Sequence, residues 1–516
     1  MQSKRLVYYI SIMLVIILAV SISGCGSSTT TTSTTTEQSK YGGTFRQLES
    51  SSAEGIIGIP WEIRNNAGPI VPCIDHLVTV DFQGNISPEL ATDWEIADDG
   101  KSITFTLRQD VKFHDGTTFD AAAAKWNLDN WMAAKKDGTQ TWTSIEVIDP
   151  YTVRIDLSEF RNTVFDSLSM DYCGPISPTA YEKNGKEWAE KNPVGTGPFK
   201  LVSFNPDVGW SYVRNDEYWN GKPYLDAIEC KVVLDLNVTQ MMLENGEAET
   251  CTLLGAQGTE IKIALTEKGW QLIPLESGGD PFCLWPDSAN AESPWSKKEV
   301  RLAADFALNK EDISLLGKGL WIPSWQLATP THNFYDPSLT RKYDPAKAQE
   351  LLEEAGYGTG FNTTIYYDAT TPTDLVVALQ SYFGDVGINA DLKILAPSDA
   401  FLAVTQGWSN GVFAIPFGIK TNFLQSIEQN FAMQKMSFVS VLGAPEIQSY
   451  IDAGLSARTI EERAELSGQA VKYVFDEVLT IPLYRPDSLG VLAPYVHDAG
   501  FGNAADWTPE LCWMSK

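Results

Sequence analysis

Positive charge is scarce in this sequence. Lys and Arg number 38 against 66 Asp and Glu, a formal net charge of −28 over 516 residues. Nothing in that balance can neutralise a phosphate backbone, which excludes a nucleic-acid binder, and the same deficit excludes a polybasic contact with anionic lipid. Histidine is rarer still. His76, His114, His332 and His497 are the full set, and none has a second histidine or cysteine at metal-ligand spacing. Neither a metal site nor a cofactor is expected. After Cys25 the cysteines are Cys73, Cys173, Cys230, Cys251, Cys283 and Cys512, too scattered for a CxxC or a metal knuckle. Most read as small buried hydrophobes, and their pairing does not follow from the sequence. The G-x-S-x-G, H-E-x-x-H, G-x-x-x-x-G-K-[ST] and G-x-G-x-x-G patterns are all missing, and no internal repeat is found. Beyond the first 25 residues no apolar run is long enough to span a bilayer.

What is present begins with residues 1–25, MQSKRLVYYISIMLVIILAVSISGC. Lys4 and Arg5 head a short apolar stretch, and Ile22-Ser23-Gly24 place small residues before Cys25. That layout describes an export signal, and its ending resembles a bacterial lipobox. Residues 1–24 are therefore expected to be a signal peptide and Cys25 the lipidated first residue. The competing reading is a membrane-spanning anchor. Either way the body lies outside the cytoplasm, tethered to a membrane. Residues 26–40, GSSTTTTSTTTEQSK, have no apolar surface to bury and read as a flexible linker.

The body is 43% hydrophobic over the whole chain, enough for a large core and two or three domains. Its first half reads as β-rich. In residues 101–113 the alternation of Ile103, Phe105 and Leu107 against Thr104, Thr106 and Arg108 predicts a half-buried strand, and residues 146–157 repeat it about an Asp149-Pro150 turn. Between them Asp120 is set to cap a helix over 121–134. The second half reads as α/β. Ser296–Glu299 and Thr459–Glu462 look like capping boxes, and Asp344-Pro345 opens a helix that Gly356 stops. A strand at 363–368, a helix and a strand at 388–394 make a βαβ unit.

Several stretches resemble a known family, the extracytoplasmic solute-binding proteins of peptide/nickel/opine ABC importers (solute-binding family 5). Its P-x-L-A-x-x-W…T-F-x-L-R-x-x-V-x-F-H-D-G pattern is matched by Pro88, Leu90, Ala91, Trp94, Thr104, Phe105, Leu107, Arg108, Val111, Phe113, His114, Asp115 and Gly116. PVGTGPF at 193–199, RNDEYW at 214–219, VRLAADFALNK at 300–310 and YDPAKAQELLEEAG at 343–356 follow in the family's order. Read as scaffold, these motifs make His114 a structural histidine near a turn, with Tyr218 and Trp219 as packing residues. The resemblance implies an α/β, two-lobe periplasmic-binding-protein fold (type II-like, with an extra β-rich subdomain) and a ligand cleft between the lobes. Lobe one is then expected at 41–285 plus 481–516, with the β-rich part at about 82–195, and lobe two at 286–480. The crossings are expected near Asp280–Asn290 and Val478–Arg485.

Four segments are expected to face the cleft: the loop Ser51–Asn66 with Trp61; the crossing at Trp285; Gly319–His332 with Trp321 and Trp325; and Gly407–Phe423 with Trp408, Asn410, Phe417, Lys420 and Asn422. Aromatics in loops are harder to explain as core than aromatics on a periodic face. By the resemblance, peptide-binding members carry an aspartate in the last segment that pairs with a peptide amino terminus. Residues 408–424 contain no Asp or Glu, so a buried ammonium would lack a partner there. A cargo neutral or anionic at its lobe-two end is expected, with Trp408 stacking and Lys420 donating, unless Lys420 simply faces solvent.

The resemblance implies a non-enzymatic, monomeric receptor for a small organic solute, anchored on the extracytoplasmic face, with permease and ATPase subunits as partners. Oligopeptide, oligosaccharide and related solutes stay open. A surface-anchored hydrolase, and a sensory or adhesion lipoprotein of the same fold, are the alternatives.

Overall fold

The structure is a computed structural model. It describes residues 40–515 apart from 65–67, 171–172, 254, 276, 436 and 502–506. The export signal, Cys25 and the linker up to residue 39 lie outside the described residues, as does Asn66.

Three main sheets organise the body. A seven-stranded sheet runs in the order Gln271–Pro274, Ser488–Leu492, Thr250–Thr252, Thr44–Glu49, Ala227–Val232, Gly209–Arg214, Phe199–Asn205. A six-stranded sheet runs Trp321–Pro323, Ile481–Pro486, Phe282–Pro286, Gly411–Pro416, Phe361–Asp368, Ile388–Leu395. A four-stranded antiparallel sheet, Ala91–Ile96, Ser102–Leu107, Thr152–Leu157 and Trp142–Asp149, is inserted in the first half of the chain. The strands Phe361–Asp368 and Ile388–Leu395 pair in parallel around the helix Thr373–Asp385, the expected βαβ unit.

The caps agree with the sequence at three helices. Asp120 accepts from Ala123 N ahead of Ala121–Ala133, Asp344 from Lys347 N ahead of Pro345–Glu354, and Thr459 from Glu462 N ahead of Ile460–Glu477. The box at Ser296 does not form. Ser293 caps a single 3₁₀ turn, Pro294–Ser296, and the helix Lys298–Phe306 starts from Lys297 with no side-chain cap. Ser296 Oγ turns back to the Ser293 carbonyl at 2.8 Å instead. The strand expected over 101–113 stops at Leu107, because Asp110 takes a left-handed backbone (φ 65°) that no strand continues through.

Each segment expected to hold a crossing holds a strand of the six-stranded sheet. Phe282–Pro286 pairs with Gly411–Pro416 and Ile481–Pro486, so both strands belong to the six-stranded sheet rather than to the first half. The chain therefore passes between the large sheets at 275–281 and again at Asp487. These two passages touch closely. Arg485 donates to the Gly278 carbonyl, and a Cβ on Gly279 (φ +86°) would sit 2.1 Å from the Pro486 carbonyl oxygen, so only glycine fits.

The core is divided in the same way. Two clusters of buried hydrophobic residues belong to the six-stranded half; one is centred on Trp295, Val300, Leu379 and Phe383, the other on Trp285, Phe413, Phe431 and Val471. One packs the four-stranded sheet around Phe105, Phe119 and Trp131, and two pack the seven-stranded sheet around Phe45, Phe199, Leu243 and Leu265. Among the described residues, none of these clusters draws from both 40–274 plus 488–515 and 282–486. All six cysteines after Cys25 are buried.

Candidate functional site

The strand Gly411–Pro416 is a continuous apolar run because it lies inside the six-stranded sheet with neighbours on both edges. It ends at a loop, 417–422, that is pinned to the passage between the sheets. Phe417 N donates to the Pro281 carbonyl at 2.8 Å, and Ile419 N to Asp280 Oδ1 at 3.1 Å. Burial pushes the Asp280 carboxyl up to about 6. Lys420 N donates to Ser426 Oγ at 2.7 Å, which bends the loop into the helix Phe423–Phe431.

Asn422 is the N-cap of that helix, yet its side chain makes no capping bond. Its amide reaches the opposite half instead. Asn422 Nδ2 donates to Asn162 Oδ1 at 2.8 Å and to Asp166 Oδ2 at 2.9 Å. Asp166 belongs to the helix Thr163–Leu168, which packs under the four-stranded sheet. Asn162 completes the join from its own side. Its Nδ2 donates to the carbonyls of Gly454 (2.7 Å) and Ala457 (3.1 Å), and its backbone N to Leu455. All three polar side chains are at most 5% exposed.

Charge lies around this core of amides. Arg161 Nη2 meets Glu428 Oε1 at 2.6 Å, and Lys420 Nζ stands 3.8 Å from Asp137 Oδ2. Farther along the same seam, Arg463 donates to the Gly84 carbonyl, Arg458 to that of Asp98 and Gln83 to that of Thr331. Burial raises the Asp166 carboxyl above its ordinary range, while Arg463, Asn422 and Lys420 pull it back. The seam between the halves is thus built of hydrogen bonds and ion pairs.

The expected site residues scatter. Lys420 and Asn422 face the opposite wall as described. Trp285 is fully buried, stacked on Phe438 at 3.9 Å with its Nε1 bonded to the Ile415 carbonyl, and Phe417 is also fully buried in that core. Both are packing residues, because their rings lie fully inside that core. Trp321 stacks flat on Tyr484 at 3.8 Å, Trp325 is half-buried, and Trp61 packs edge-on against Trp126 at 5.3 Å. Asn410 holds a left-handed turn (φ 47°), with its N on Asp287 Oδ2 and its Nδ2 on the Asn362 carbonyl. Trp408 lies against Phe413 and Phe438 and lines a hollow of about 660 Å³ with Tyr366, Lys393 and Asp399. Trp408 and Lys420 stand at opposite ends of the strand Gly411–Pro416, roughly 20 Å of extended chain, and do not form one site.

Asn162, Asp166, Arg161 and Asp137 were missed by sequence reasoning. One signal was available: Asp166 interrupts the apolar run Val164-Phe165-…-Leu168, and a charge there needs a partner. The scaffold motifs also carry more than packing. Asp75 is buried and accepts from Thr196 Oγ1 (2.7 Å), Tyr218 OH (2.8 Å) and Trp219 Nε1 (2.8 Å), so the two aromatics serve as donors. His114 Nε2 donates to the Gly197 carbonyl at 2.9 Å, a structural histidine as expected, and burial pushes it down to about 4. Beside Asp75 lies a cavity of about 700 Å³ lined by His76, Glu89, Tyr218, Thr331 and Glu510.

Residues 85–425 match the family described as bacterial extracellular solute-binding proteins, family 5 Middle. The chain belongs to that family. Glutathione-binding protein GsiB of Salmonella paratyphi A is 28% identical over 432 residues, covering 79% of this chain and 82% of the relative. GsiB of Escherichia coli O157:H7 is 31% identical over 328 residues, covering 62% and 63%. Among solved structures, the periplasmic binding protein DppA from Helicobacter pylori in complex with the peptide STSA aligns over 93% of this chain and 99% of its own, with TM-score 0.75 at 22% identity. NikA from Brucella suis in complex with Fe(III)-EDTA aligns over 91% and 100%, with TM-score 0.77 at 23% identity. The family 5 protein described here thus has the periplasmic-binding-protein fold and is an extracellular solute-binding protein.

Proposed function

We propose that the two halves are lobes, about 40–274 plus 488–516 and about 282–486, that close on a zwitterionic, peptide-class solute and hand it to an ABC permease without chemical change. The division of the hydrophobic clusters carries this reading. A seam of amides and ion pairs can exchange its partners for water, whereas a shared apolar core could not part cheaply. The two passages at 275–281 and Asp487 serve as the hinge. A solute shifts the balance only by contacting the closed form better than the open one.

The charge of the walls supports the cargo class. The loop that follows Gly411–Pro416 has no acid of its own, but Asp137 stands across from it, with Lys420 and Arg161 close by. Ammonium and carboxylate ends of one small solute both find partners there. Relatives named for glutathione, and a similar structure holding a peptide, point the same way. A lipid on Cys25 is part of the proposal, motivated by the small residues Ser23-Gly24 that precede it after a short apolar stretch. Cys25→Ala should free the protein from the membrane fraction or block its processing.

Calorimetry and solution scattering on the purified chain with glutathione, di-, tri- and tetrapeptides, and maltotriose test the reading. Binding of a peptide-class solute with a smaller radius of gyration is expected. Binding of maltotriose alone would overturn the cargo class, and tight binding without compaction would overturn closure.

A further inference from the structure

Two acceptor oxygens at the seam have no donor. Asn422 spends both amide hydrogens, on Asn162 and Asp166, and its Oδ1 is buried without a hydrogen bond. Asp166 accepts on Oδ2, and its Oδ1 is likewise buried and unbonded. Asn422 is 2% exposed and Asp166 1%, so bulk water does not supply the missing donor. The two side chains meet across the joint between the halves through one donor–acceptor bond, and each keeps one buried oxygen without a partner.

We propose that Asp166 and Asn422 form a proton-dependent latch on the closed state. One proton taken from solvent onto Asp166 Oδ1 makes a hydroxyl that donates to Asn422 Oδ1, while Asn422 Nδ2 keeps its bond to Asp166 Oδ2. Acid and amide then pair reciprocally, and no buried oxygen is left without a partner. The inference rests on the closure reading above and adds what regulates it. No bond other than those to the proton changes, and the proton returns to solvent when the halves part.

The surroundings fix the sign. Asp166 is faced by Arg463 from the helix Ile460–Glu477 and by Lys420 from its loop; Arg161 on its own side is engaged with Glu428, and Lys420 with Asp137. The cations favour the carboxylate, but burial outweighs them and raises its pKa. An Asp that binds protons more tightly when closed than when open makes closure stronger as pH falls through the range above its ordinary value. In the open form Asp166 meets water and ionises normally. The pair thus positions the walls, and its protonation sets how long they stay together.

Solution scattering on the purified chain, without solute, from about pH 8 to about pH 4.5 tests the latch, with circular dichroism at each pH to follow the fold. The wild type should shrink as pH falls. Asp166→Asn presents an amide that pairs with Asn422 without a proton, so it should be compact at every pH. Asn422→Ala should stay expanded and lose the pH response. A wild-type radius that does not change with pH, or the same change in Asp166→Asn, overturns the proposal. Glutathione added at about pH 8 separates the two readings. Compaction by glutathione without any pH response overturns the latch and leaves closure standing. Compaction by neither overturns both.

Discussion

Asp75 shows how much one buried side chain can organise. It gathers a threonine from the G-T-G turn and a tyrosine and a tryptophan from the D-E-Y-W segment, tying two distant stretches to one carboxylate. Asp75→Ala leaves two buried donors and one half-buried donor without an acceptor and should cost about 3 kcal/mol; Asp75→Asn, which keeps one acceptor oxygen, should cost roughly half of that in denaturant unfolding. Two other residues set the pH response in opposite directions. His114 is held neutral, at about 4 against a usual 6.5, so the unfolded chain takes up its proton first. Stability from this residue is present above about pH 6.5 and is lost as pH falls toward 4. Burial, reinforced by Asp75 and Glu89, lifts Glu510 from 4.5 to about 7. The folded state holds that proton, so its share of stability is full below 4.5 and is lost as pH rises to 7. Glu510→Gln should therefore raise the melting temperature at pH 8 and change it little at pH 4.5, by a difference of about 1–3 kcal/mol. His114→Gln, which can still donate to Gly197, should flatten the acid side of the profile.

At the scale of single elements, the caps give the plainest test. Asp120 closes the first turn of Ala121–Ala133 through Ala123 N, and Asp120→Ala should destabilise the chain by about 1 kcal/mol with solute affinity unchanged. That helix was legible because cap, alanine run and flanking strands agree locally. The βαβ unit at 361–395 was legible for the same reason. The failures occur where a neighbour decides. Ser296 has the residues of a capping box, but Ser293 and Pro294 start a 3₁₀ turn first and take Ser296 into it. Residues 411–416 were folded into one long loop because a fully buried strand shows no alternation, and only its partners on both edges make it a strand. That misreading joined Trp408 to Lys420. It also hid Asn422's role, which depends on Asn162 and Asp166 some 256 to 260 residues away in sequence. Aromatics in apparent loops misled for a related reason: Trp285 and Phe417 are fully buried in the core of the six-stranded half, although the loop that Phe417 begins goes on to face the other half.

For the whole molecule, the architecture was legible through motifs spread over both halves, while the seam was not, because its partners are exposed-looking polar residues until the halves meet. Arg161 and Glu428 are such a pair: each is about one-quarter to one-third exposed, one from each half, 2.6 Å apart. If the halves separate, this contact exists only in the closed state and weighs on that state alone. An exposed pair of this kind contributes roughly 0.2–1 kcal/mol, a change of up to about fivefold in the ratio of closed to open forms. Arg161→Glu sets two carboxylates against each other and should expand the chain in solution scattering and weaken solute binding. Glu428→Arg should do the same with two cations. The double variant restores the pair in reverse and should recover both compactness and affinity, with the loss in each single variant shrinking at high salt. Recovery in the double variant cannot come from damage to either half alone, since each half then carries its substitution unchanged. Equal loss in all three variants would mean that the seam contributes nothing to closure at this point.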